Sequence, residues 1–178
     1  MKKILLFILV SCVLFVSGCN DSDNSQKVEA GDYISVNYTG SLEDGTVFDT
    51  SIEEIAIEEN IYNPYRNYEP LPFVAGAGQM IKGFDDAVIG MGIGEEKTVT
   101  IPPEEAYGAY CPELLIPVPA EDFESANITP IIGQKVTYQN QVVTIANISE
   151  ENVTLDCNHN LAGETLIFTI ELVSIEKA

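Results

Sequence analysis

Met80, Ile81, Phe84, Val88 and Met91 recur at the three- and four-residue spacing of a helix with one apolar face, and Gly90, Gly92 and Gly94 close the run. The rest of the chain reads mostly as short alternating stretches. A lone amphipathic helix among strands must bury its stripe against a sheet, so this feature commits the chain to an α+β architecture. On one side of it, residues 33–38 (YISVNY) alternate like a strand, Thr39–Gly45 supplies turn residues, and Thr46–Asp49 completes a hairpin. Ser51 followed by Glu54 has the form of a capping box opening a short helix, and residues 60–72, with three prolines, read as a loop. Beyond the helix, residues 97–101 form a strand stopped by Pro102 and Pro103, with Ala106-Tyr107-Gly108 in a loop. Strands are predicted at 134–138, 141–148, 152–157 and 165–175. The expected fold is an antiparallel half-barrel wrapped on one helix.

Charge narrows the function. The 178 residues carry 28 acids against 8 Lys and Arg, a net charge of −20, which repels phosphate backbones and sets nucleic acid aside. Hydrophobic residues make up 46% of the chain, too many for a disordered acidic tail. Some of them stand apart: Lys2 and Lys3 precede the apolar run Ile4 to Val16, which ends in Ser17-Gly18-Cys19. This reads as an export signal over residues 1–18, and at about 13 residues it falls short of the roughly 20 that span a bilayer. The terminal cysteine resembles a lipobox, making Cys19 the expected lipidation site and residues 19–27 a polar tether. Ordinary cleaved secretion and an uncleaved anchor remain open. The expected location is extracytoplasmic, on the cell membrane.

Four motifs in order then carry a family resemblance. Residues 36–51 (VNYTGSLEDGTVFDTS) resemble the opening of the FK506-binding-protein (FKBP) peptidyl-prolyl isomerases, and residues 78–88 (GQMIKGFDDAV) resemble the segment leading into their helix. Ala106-Tyr107-Gly108 is similar to their flap-side tyrosine segment, and residues 166–172 (LIFTIEL) to their final strand. The interruption after Tyr107, ending in residues 156–163 (DCNHNLAG), resembles the SlyD-like branch, in which an insert-in-flap domain interrupts the flap. The acidic segment 52–68 looks like the archaeal-type members. The resemblance implies an isomerase domain from 28–109 plus 161–178 and a small β-rich insert domain at 110–160. It implies capture of unfolded chains by the insert, through apolar residues such as Leu114, Ile116, Val118, Ile128, Ile131 and Ile132. Partners would be unfolded, proline-containing polypeptides and, through the anchor, the membrane.

Rotating an amide costs about 18–20 kcal/mol in lost resonance, and an X-Pro bond differs chiefly in its accessible cis state. A catalyst needs an apolar pocket that favours the twisted amide, and neither nucleophile, cofactor nor metal. Carried over position by position, the resemblance implies catalytic roles for Tyr38, Asp49, Phe84, Tyr107 and Phe168, and substrate contacts from Phe48, Leu71, Met80 and Ile81. Phe84 stands where many members have Trp, and Leu71 where an aromatic is common. Taken singly, the phenylalanines read as core and Asp49 as a surface carboxylate; only their place in one ordered motif makes a site of them. His159, the sole histidine, has no clustered thiols or carboxylates to make a metal site, so no metal is expected. Cys111 and Cys157 lie where the insert leaves and returns, and a disulfide between them is an expectation set against two free thiols. The competing function is a membrane-anchored holdase or binding lipoprotein with little isomerase activity.

Overall fold

The computed structural model describes residues 26–178. The export signal, Cys12, Cys19 and most of the tether lie outside the described residues. In chain order the elements are β1 (Tyr33–Leu42), β2 (Val47–Thr50), α1 (Glu53–Glu58), β3 (Leu71–Val74), α2 (Lys82–Val88), β4 (Glu96–Ile101), β5 (Leu115–Pro119), α3 (Ala120–Ser125), β6 (Lys135–Tyr138), β7 (Gln141–Ile148), β8 (Asn152–Asp156) and β9 (Leu166–Glu176). Among the described residues no helix is long and apolar enough to cross a membrane.

The period-two pattern of β1 does what it promises: Ile34, Val36 and Tyr38 point inward and are buried. One edge of β1 pairs with β9 along its whole length, and β9 pairs in turn with β4. The other edge is shared, β3 taking residues 33–36 and β2 residues 39–41, all antiparallel. Where that shared ladder lapses, at Tyr38, Ser51 takes over. Its Oγ accepts the Tyr38 N–H at 2.9 Å and its own N–H donates to the Tyr38 carbonyl. This is why the expected capping box fails. Ser51 is buried against β1, and α1 starts after Ile52 without a side-chain cap.

Helix α2 packs across the sheet as an α+β half-barrel requires. It is shorter than the apolar spacing suggests: Met80 and Ile81 precede it, and Met91 follows the turn at Gly90 yet is fully buried. Phe84, Ala87 and Val88 enter one core with Ile34, Val36, Ile101, Ile170 and Leu172. Gly83 lets helix and sheet approach, since a Cβ there would lie 2.5 Å from Cγ2 of Ile101. The loop expected over 60–72 gives way at Leu71 to β3, an edge strand that tolerates Pro72 because an edge needs no donor there.

Between β4 and β9 the chain builds a second sheet in the order β5-β8-β7-β6. It has its own core of Val118, Phe123, Val143, Ile145, Val153 and Leu155. The chain stretches leading out to this sheet and back are neighbours, as expected, but Cys111 and Cys157 are free thiols and the expected disulfide is not made. An amide joins the two stretches instead. Asn158 accepts the Cys111 N–H through Oδ1 at 2.9 Å and donates from Nδ2 to the Cys111 carbonyl at 3.0 Å, pairing as a backbone unit would. The Cys111 thiol donates to Glu113.

Candidate active site

One cavity of about 270 Å³ opens between the main sheet and the N-terminal end of α2. Tyr38, Asp49, Phe84 and Phe168 line it together with Leu71, Met80, Ile81 and Tyr107. Eight of the nine residues expected at the site are thus gathered from six separate stretches of chain. Phe48 is the exception: it does not line the cavity but buttresses it, its ring edge-to-face on Phe168 at 5.6 Å.

The walls are a mesh of aromatic contacts. Phe84 meets Phe168 at 5.1 Å and Tyr38 at 5.9 Å, both edge-to-face, and Phe73 supports Phe84 from behind at 5.9 Å. Gly40 makes room for them, because a Cβ there would stand 2.7 Å from both Phe48 and Phe168. Alternation along β1 places Tyr38 and Gly40 on this inner face.

The single polar corner holds a residue the sequence reading missed. Tyr38 donates its hydroxyl hydrogen to Asp49 at 2.6 Å, and Arg66 binds both, pairing with the Asp49 carboxylate and donating to the Tyr38 oxygen at 2.8 Å. The Arg66 guanidinium also lies 5.4 Å from the Tyr68 ring centre. Burial first, then the bond to Asp49, pushes the Tyr38 phenol up to about 12, so it stays a donor. Burial works against the Arg66 charge, but the bonds to Asp49 and Tyr38 outweigh it and hold the guanidinium firmly protonated. Arg66 sits in an aperiodic loop; the only signal for it is that it is the chain's one arginine, set among Tyr62, Tyr65 and Tyr68.

The rim is set by a second unanticipated residue, a carboxylate. Asp85, buried on α2, accepts the Gly76 N–H through one oxygen and the Gly78 N–H through the other, both at 2.8 Å. Gln79 accepts the Val74 N–H at 3.0 Å. These bonds shape the loop that carries Met80 and Ile81 to the cavity. Tyr107, which also lines the cavity, stacks on His159, with ring centres 3.7 Å apart. Among the described residues no cluster of His, Cys, Asp and Glu could hold a metal ion.

Such a site can take an apolar ring into its aromatic floor while presenting hydroxyl, carboxylate and guanidinium groups at one side. Neither serine, cysteine nor lysine lines it. Comparisons with known proteins give it a setting. The model of the FKBP-type peptidyl-prolyl cis-trans isomerase family matches residues 24–173. A short-type peptidyl-prolyl cis-trans isomerase of Methanocaldococcus jannaschii is 46% identical over 85% of this chain and 96% of its own length. SlyD isomerases of Helicobacter pylori and Vibrio cholerae are 38% and 31% identical, over 61% and 85% of this chain and 60% and 70% of theirs. A solved structure of the three FKBP domains of wheat FKBP73 aligns with 86% of this chain and 42% of that one, at 25% identity and a TM-score of 0.46. A family match over nearly the whole described chain, and a relative covered almost end to end, identify this protein as a member of the FKBP-type peptidyl-prolyl cis-trans isomerases.

Proposed function

We propose that this isomerase works at the outer face of a cell membrane, held there by a lipid on Cys19, and speeds X-Pro isomerisation in exported proteins whose unfolded chains its second sheet captures. The observation that carries the catalytic part is the cavity itself: apolar walls, with a single hydrogen-bonded corner of Tyr38, Asp49 and Arg66. A prolyl ring seated against Phe84 and Phe168 leaves its amide at the rim, beside the backbone N–H of Ile81 and the hydroxyl of Tyr107. The planar amide carries the larger charge separation and loses more on leaving water than the twisted one, so an apolar wall lowers the barrier without covalent chemistry.

The capture role rests on the insert-in-flap reading of residues 110–160, which follows the SlyD resemblance. It is supported by an apolar groove lined by Val118, Phe123, Ile128, Val136 and Tyr138, and by the nearby exposure of Ile131 and Ile132 at 63% and 62%. Both tasks are tested in the refolding of a reporter whose slow phase is limited by one X-Pro bond. Substoichiometric protein is expected to accelerate that phase. Slower aggregation only near one-to-one ratios, with the slow phase untouched, would make the protein a holdase. For the anchor, metabolic labelling with a radioactive fatty acid is expected to mark the wild type and not Cys19→Ala.

A further inference from the structure

Tyr107 lies just before the chain leaves for the second sheet, and His159 lies just after it returns. Their rings are stacked nearly parallel, 10° apart with centres 3.7 Å from each other. Tyr107 lines the cavity and His159 does not. Tyr107 is 41% exposed on a loop, so fixing its ring needs a partner. His159 is itself fixed. The Leu161 N–H donates to its Nδ1 at 3.1 Å, which leaves Nε2 as the protonated nitrogen of the neutral ring. The two stretches are stitched beside the stack by Gly163 N–H to the Gly108 carbonyl at 2.8 Å and by the Asn158 amide on Cys111.

We infer that His159 is a positioning residue for catalysis: its ring, delivered by the chain returning from the second sheet, holds Tyr107 at the mouth of the cavity. The inference rests on the reading of that cavity as the prolyl site and adds to it a dependence on the returning stretch. Open loss of the stack would free Tyr107 to leave the rim while the two hydrophobic cores, which contain neither ring, stay intact.

Two substitutions separate the roles of the imidazole. His159→Asn keeps a side-chain acceptor for an N–H two residues on, as asparagine does in turns, but removes the flat face. His159→Phe keeps the face and removes the acceptor. In the full chain, held in detergent, the Asn variant is expected to lose about three- to tenfold in kcat/KM on a short X-Pro peptide, the range of an aromatic pair, with an unchanged melting temperature. The Phe variant is expected to stay within about twofold of wild type on the same scale. In a Tyr107→Ala background the Asn substitution should have no further effect. Fluorotyrosine labelling, with the Tyr107 resonance assigned by its loss in Tyr107→Phe, should show that resonance displaced in the Asn variant and near its place in the Phe variant.

An Asn variant as active as wild type, or a Phe variant as impaired as Asn, would overturn the inference, as would an unmoved fluorine resonance. A wild type that does not accelerate the peptide at all would refute the prolyl reading, and the inference with it, whatever the resonance shows.

Discussion

Arg66 holds two residues of the cavity at once, and its own loop has no pattern that would announce it. Tyr38 and Asp49 were legible because they stand inside one ordered motif; Arg66 was not, because a contact made 17 positions from Asp49 through an irregular loop leaves no periodicity. Both sides of the Arg66–Asp49 pair are more than a third exposed, so Arg66→Leu should change stability by less than about 1 kcal/mol in urea unfolding. Activity should respond more: with the donor gone, kcat/KM on a short peptide is expected to fall about tenfold, since hydrogen bonds to charged groups carry that order of free energy. Tyr38 gives a pH test. Its folded-state pKa, about 12 against an ordinary 10.0, means that the fold favours the protonated phenol. Its contribution to stability is therefore complete below pH 10 and is lost as the pH rises towards 12. An alkaline titration followed by phenolate absorbance should show a late-titrating tyrosine that Tyr38→Phe removes. Because Arg66 pulls that value down, the late step should move higher still in Arg66→Leu.

Among the elements, those with a clean period were read and those interrupted by proline were not. β4, β7 and β9 appear within a residue of expectation, because each keeps its alternation over several residues, whereas β1 runs on to Leu42 through the turn expected from Thr39, held there by its pairing with β9. β3 and β5 carry Pro72, Pro117 and Pro119, which local rules assign to loops; tertiary pairing at a sheet edge overrides them. α3 was missed because a six-residue acidic stretch with one buried residue, Phe123, has no stripe to detect. The spacing of α2 was read correctly as an inward face but overestimated as a helix, since the flanking turns bury Met91 and turn Met80 to the cavity just as well. One substitution probes that packing through its sign. In an exposed helix Gly→Ala stabilises by about 0.8–1 kcal/mol. Gly83→Ala should instead destabilise by about 1–3 kcal/mol in urea unfolding, because the new methyl group is driven into Ile101. Asp85→Ala should orphan the Gly76 and Gly78 N–H groups and cost about 1–3 kcal/mol, with a raised KM as the rim loosens.

At the scale of the whole molecule, two sheets with separate cores share one stem, and only the first of them contains the cavity. The consequence is a division that substrates can report. Replacing residues 110–160 by a short turn should spare turnover of a short peptide far more than acceleration of protein refolding. The net charge of −20 adds a further expectation: capture of a basic unfolded reporter should weaken as salt rises past the point where the Debye length falls below about 10 Å. Composition made nucleic acid an improbable partner from the outset, yet nothing in it located the stem, whose Asn158 clamp depends on two stretches far apart in sequence. The most direct test of the cavity's role is the rate of X-Pro isomerisation in a short peptide, measured with residues 26–178 and with the near-isosteric Asp49→Asn. The wild type should accelerate the reaction and the variant should be about tenfold or more slower while still folded, because Tyr38 and Arg66 lose the charge they share. A folded Asp49→Asn protein with full activity would place the catalysis elsewhere.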